Sequence, residues 1–168
     1  MSIFKVSEIQ LRYKHSKRRS ILPFVRSADD AYCVLRNQWD ENRIDLAEDF
    51  KILLLNRSLQ ALGICPISSG GTAGTFANPK LVFAAALKAN ASSIVLAHNH
   101  PSGNLQPSNS DITLTRKFEN GGKILDIEVV DHIILTSEGF YSIANECKFD
   151  EPKVWTPYSN TRLPVIEY

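Results

Sequence analysis

Residues 92–97, Ser-Ser-Ile-Val-Leu-Ala, limit the fold more than any other stretch of the chain. Apolar side chains at successive strand positions lie on both faces, so such a strand needs cover above and below. It predicts a central strand in a sheet that carries helices. The flanking sequence agrees. Ser27 can cap a helix with Asp29 and Asp30 in its first turn and Ala31, Val34, Leu35 and Trp39 at helical spacing. Asp49–Asn56 and Leu59–Ile67 are strand-length runs around Asn56-Arg57-Ser58, which predicts a hairpin, and Pro66 suits an edge strand or a strand end. Asn78-Pro79 opens a helix with Leu81, Val82, Ala85, Ala86 and Ala89 as its packing stripe. Ser108 opens another, expected to stop at Gly121-Gly122. Asp126–Thr136 and Phe140–Ile143 flank Ser137-Glu138-Gly139 as a closing hairpin. The order α-β-β-α-β-α-β-β predicts an α/β fold with a mixed sheet, in which the crossover through residues 78–87 supplies a parallel pair.

A length of 168 residues suits one domain, and a 43% hydrophobic, 22% charged composition supports a packed core. The expected plan is a basic N-terminal arm over 1–26, a folded domain over 27–147 and an extended tail over 148–168. Pro152, Pro157 and Pro164 keep the tail from forming a regular helix. A net charge of +1 gives no general attraction to nucleic acid or to a membrane surface. The one basic cluster, Lys14-His15-Ser16-Lys17-Arg18-Arg19, is local, and such runs are usually solvated. Cys33, Cys65 and Cys147 are odd in number and form no CxxC, which argues for free thiols in a reducing cytoplasm. No apolar leader or membrane-length run is present, so a cytoplasmic protein is expected.

The segment after the central strand, His98-Asn99-His100-Pro101-Ser102-Gly103-Asn104-Leu105-Gln106-Pro107-Ser108-Asn109-Ser110-Asp111, carries the chemistry. At a strand end, residues two apart point to the same side, so His98 and His100 can converge just beyond the carboxyl edge of the sheet, where α/β folds place their sites. Pro101, Gly103 and Pro107 turn the chain back and bring Asp111, in the first turn of the next helix, towards the same point. Two imidazoles and a carboxylate with a fourth position for water suit a catalytic zinc, and iron(II) accepts the same set. Taken alone, Ser108-x-x-Asp111 is a helix cap, and a single histidine is more often a satisfied polar residue than a ligand. The four residues together occur at this spacing by chance on the order of once in a few thousand such chains.

HxHx7SxxD, filled by His98, His100, Ser108 and Asp111, resembles the JAMM motif of the JAB metalloprotease superfamily. The longer AHNHPSG…PSxxD string, with residues 84–91 before it and 125–132 after it, is similar to the RadC-like branch. The resemblance spans roughly 27–147 and implies a three-layer α-β-α, cytidine-deaminase-like fold with a mixed sheet. It implies one Zn2+ per chain on His98, His100 and Asp111, with a bound water. It also implies an upstream catalytic glutamate at a strand start, two residues before a phenylalanine. Glu48, before Phe50, fits, with Glu41, Asp45 and Asp49 as rivals.

The expected activity is metal-assisted hydrolysis of a peptide or isopeptide amide, with Glu48 moving the proton and the Ser108 hydroxyl supporting the oxyanion. The rival readings are a non-catalytic metal-binding scaffold, which parts of the superfamily resemble, and a DNA-associated module acting through residues 12–19. Longer RadC-like proteins resemble helix-hairpin-helix DNA binders in their N-terminal part. Residues 1–26 do not, so a DNA-repair role has weak support here. A homo-oligomer is compatible with the sequence. Asp131-His132 is expected to support the site from behind, through a hydrogen bond, in preference to acting as a fourth ligand. HExxH is absent, which excludes a zincin-type protease, and the deaminases' P-C-x-x-C is absent too.

Overall fold

The computed structural model describes residues 22–70 and 77–146. Its centre is β3 (Ser93–Asn99), buried at all seven positions. β1 (Asp49–Leu55) lies antiparallel to it on one side, and β2 (Ala61–Ser69) extends the sheet from β1 as an edge strand. On the other side are β4 (Glu128–Leu135) and the short β5 (Phe140–Ser142), giving the order β2-β1-β3-β4-β5. The sheet is mixed, and its adjacent parallel pair is β3–β4. The crossover through residues 78–87 does not supply that pair. β2 and β3 point the same way, but β1 lies between them and pairs antiparallel with both.

Helices cover both faces. α1 (Ala28–Arg36) packs with Trp39 and Ile44 against Leu53, Leu55, Val95, Ala97, Ile133 and Leu135. On the opposite face, α2 (Pro79–Lys88) and α3 (Asn109–Leu125) bury Val82, Phe83 and Phe118 against Phe50, Ile52, Ile94 and Leu96. The alternation of β1 and β3 splits their side chains between the two clusters, as a doubly covered sheet requires. The caps are local. The Ser27 hydroxyl accepts from the amide of Asp30, and the Asn78 side chain accepts from the amide of Lys80 with Pro79 opening the helix.

α3 runs through Gly121-Gly122 and ends at Asp126, which takes the left-handed conformation at φ 52°. These glycines therefore do not stop the helix. A Cβ on Gly122 would lie 2.2 Å from the carbonyl oxygen of Ile127, and one on Gly121 would lie 2.8 Å from the Phe83 ring, so they allow close packing. Strand β4 accordingly starts at Glu128, and β2 at Ala61. Leu59 sits in the hairpin turn at φ 58°. A one-turn helix, α4 (Ile143–Glu146), follows β5 where strand was expected to continue to Ile143. Its first turn is capped by the buried Asp131 carboxylate, which accepts from the Ser142 hydroxyl and the Ala144 amide. Core contacts begin at Leu22 and Val25, both buried, with Phe24 bridged to Gln60, so packing starts ahead of Ser27. The cluster Lys14–Arg19, most of the loop 68–75 and the tail 148–168 lie outside the described residues. No helix among the described residues is long and apolar enough to cross a membrane.

Candidate metal centre

β3 delivers His98 and His100 to the α2–α3 side of the sheet, and the loop 101–107 returns the chain to α3. Gly103 makes the bend at φ 76°, and its amide donates to the His100 carbonyl. Ser108 and Asp111 form a reciprocal capping box. The Ser108 amide donates to Asp111 Oδ2 at 2.7 Å, and the Asp111 amide donates to Ser108 Oγ at 3.2 Å. This fixes the carboxylate in the first turn, facing the imidazoles. Asp111 Oδ1 is 3.4 Å from His98 Nε2, and Oδ2 is 3.8 Å from His100 Nε2. Single ligand atoms of His98, His100 and Asp111 all fall within 4.8 Å of one another.

The hydrogen bonds determine which ring nitrogens carry protons. The Thr115 hydroxyl donates its one proton to the Asp111 carbonyl at 2.7 Å, so it must accept from His132 Nδ1, also at 2.7 Å. Burial pushes the His132 imidazole well below its ordinary pKa, so it is neutral and its Nε2 is bare. That nitrogen lies 2.8 Å from His98 Nδ1 and accepts its proton. Burial lowers His98 to about 4, against the opposing pull of Asp111, so it too is neutral and presents a bare Nε2. His100 Nδ1 lies 2.6 Å from the Asn104 carbonyl and can only donate to it. His100 Nε2 therefore faces the bare Nε2 of His98 at 2.9 Å. That contact suits a cation shared between the two rings, be it a proton or a metal ion. With Asp111 alongside, two imidazoles and one carboxylate fit a divalent ion of the zinc class.

Phe50 walls the imidazoles on the sheet side, its ring stacked at 6.2 Å from that of His98 and edge-on at 5.7 Å to His132. In front lies a cleft of about 450 Å3, with Leu46 and Glu48 on one side and His100, Pro101, Pro107 and Ser108 among the residues of the other. Glu48 thus shares the cleft with His100 and with Ser108. Its three rivals do not line it. Asp49 is buried and accepts from Ser69 and Arg43. Its burial opposes ionisation, but these bonds outweigh that and hold its pKa below the ordinary carboxylate value. Glu41 is paired with Arg36, a bond that lowers its pKa, and Asp45 is exposed. Ser108 Oγ is 2.5 Å from Asp111 Oδ2 and 2.6 Å from Ser110 Oγ, so the hydroxyl is engaged within the cap.

Residues 25–148 match the RadC-like JAB domain. The chain belongs to the RadC-like JAB family. Among its relatives in that family is a UPF0758 protein of Alkaliphilus metalliredigens, 37% identical over 148 residues, which are 85% of this chain and 62% of that protein. One from Flavobacterium johnsoniae is 41% identical over 99 residues, 59% of this chain and 43% of the relative. One from Clostridium kluyveri is 33% identical over 141 residues, 84% and 60% of the two chains. The chain therefore spans roughly half of the length of the curated relatives it matches. The mixed five-stranded α/β sheet agrees with a JAB-type fold. Two members of the site were not singled out by motif. Thr115 lies one helical turn after Asp111 on the same face of α3, and Asn99 lies between the ligands. Helical spacing would have found the first, once His132 was known to stand behind His98. His132 does make the hydrogen bond expected of it.

Proposed function

We propose that this RadC-like JAB protein is a zinc-dependent amide hydrolase acting on a peptide or isopeptide bond. The observation that carries this reading is the pair of imidazole Nε2 atoms 2.9 Å apart beside Asp111, opening onto a cleft that also holds Glu48. His98, His100 and Asp111 would hold the ion. Zinc bound there would supply Lewis acidity, polarising a carbonyl and lowering the pKa of a coordinated water from ~16 to about 7. Glu48 takes the proton of the attacking water and later passes it to the departing amine. The Ser108 hydroxyl, exchanging its bond to Asp111, donates to the developing oxyanion. Leu46, Pro101 and Pro107 give the cleft apolar walls, which exclude water from the scissile amide.

A purely structural or DNA-associated module needs neither a cleft beside the ligands nor a carboxylate placed across it, and both favour the hydrolase. Free Cys33 and Cys65 accord with action in a reducing cytoplasm. The test is a zinc-loaded peptide and isopeptide library screen on the parent, Glu48→Gln and His100→Ala. Glu48→Gln should keep its zinc and lose about 10²- to 10⁴-fold in turnover, whereas His100→Ala should lose both zinc and turnover. Full activity in Glu48→Gln would refute the assignment.

A further inference from the structure

Asn99 stands between the two imidazole ligands in sequence and on the opposite face of the sheet in space. Strand alternation turns His98 towards α3 and Asn99 towards the α1 side, where residues 37–47 pack through Trp39 and Ile44. Its side chain is fully buried and makes three hydrogen bonds, all to main chain some fifty residues earlier. Oδ1 accepts from the Asp49 amide at 2.8 Å. Nδ2 donates to the Ile44 carbonyl at 2.6 Å and to the Ala47 carbonyl at 2.9 Å. Two of these groups flank Glu48 directly, the carbonyl before it and the amide after it.

We infer that Asn99 is a positioning residue which clamps the Glu48 segment to the strand that carries the imidazoles, so that two of the three ligands and the proton shuttle are set by three consecutive residues. This rests on the role given to Glu48 above. The chemistry is specific to asparagine. One acceptor and two donor hydrogens on a short planar amide match one N–H and two carbonyls. Aspartate would set an oxygen against the two carbonyls, and alanine would leave three buried main-chain groups unpaired. The register follows from the pleat. Glu48 is in phase with Phe50, which faces the imidazoles, while the main chain on either side of it stays within reach of a side chain pointing the other way. The clamp can therefore grip the strap formed by residues 44–49 without entering the cleft.

The full chain, loaded with Co2+ as a paramagnetic probe, gives a test that needs no substrate. In Asn99→Ala and Asn99→Asp, pseudocontact shifts of residues 47–49 should move or broaden while those of His98, His100 and Asp111 hold. Exchange of the Asp49 amide should rise at least ~100-fold, and zinc affinity by chelator competition should stay within about threefold. Unchanged shifts and exchange at 47–49 in a folded variant would overturn the clamp. So would a zinc affinity falling as far as in His100→Ala, which would show that Asn99 holds the ligands instead of the strap. If neither variant folds, the unmodified protein decides. Slow exchange of the Asn99 side-chain amide protons supports the clamp, and exchange as fast as that of the exposed Asn109 excludes it. A clamp that passes while Glu48→Gln remains fully active would leave the positioning intact and remove only the proposed catalytic role.

Discussion

The two imidazoles of the candidate metal centre are held in different ways. His98 is 2% exposed and is oriented by a chain that crosses the core, through His132 and Thr115 to the main chain of α3. His100 is 17% exposed and is oriented by the carbonyl of Asn104, four residues away in its own loop. Each arrangement turns Nε2 towards the same point. The first is a product of the whole fold, because it requires β4 and α3 to be docked on β3. The second needs only the turn at Gly103. A ligand of each kind makes one half of the site as rigid as the core and lets the other half adjust at the mouth of the cleft.

The largest expected effect breaks this contrast directly. His98→Ala and His100→Ala should both abolish tight zinc binding, but only His98→Ala should destabilise the metal-free protein appreciably, by about 3 kcal/mol. It leaves a cavity beside Phe50 and takes away the partner of buried His132. Metal analysis together with urea denaturation of the chelator-treated variants measures both quantities, and equal stability losses would erase the distinction. A smaller effect is expected behind His98. Thr115→Val and His132→Phe remove successive members of the orienting chain and should weaken zinc binding by about 10- to 100-fold without touching a ligand, read by competition with a chromophoric chelator.

The smallest effect is in pH. Burial holds His98 at about 4 and His132 well below its ordinary value, so unfolding takes up protons at both as they return towards ~6.5. The unfolded state binds more protons in that window. The stability of the metal-free protein should therefore be full above about pH 6.5 and fall as pH drops towards 4. His100→Ala should retain this slope and His132→Phe should flatten it, as followed by urea midpoints across the range.

What could be read from sequence divides along the same line. The helix starts at Ser27, Asn78 and Ser108 were legible because a cap is decided within four residues. His98, His100 and Asp111 were legible because one strand end and one helix start, joined by a short loop, carry them all. Gly121-Gly122 was misread as a stop because the need for glycine there comes from Phe83 and from the Ile127 carbonyl, contacts made only after the helix docks. The parallel pair was misplaced because strand adjacency is settled by register across the sheet. Asn99 escaped notice because its partners lie some fifty residues earlier, and Thr115 because His132 comes beside it only when β4 and α3 pack together. Glu48 was legible only through family resemblance, since a carboxylate at a strand entry has no distinguishing local pattern.

None of the three side chains of the candidate metal centre comes from residues 101–107, and Asn104 reaches His100 through its main-chain carbonyl. The Ser102 hydroxyl and Asn104 Oδ1 accept from the amides of Asn104 and Gln106 and so help to shape the loop, which leaves Gln106 as the cleft residue whose side chain can be exchanged, with Pro101, Gly103 and Pro107 kept to preserve the bend. The wall of the cleft can in this way be altered as a separable module, leaving the two imidazoles and the carboxylate untouched.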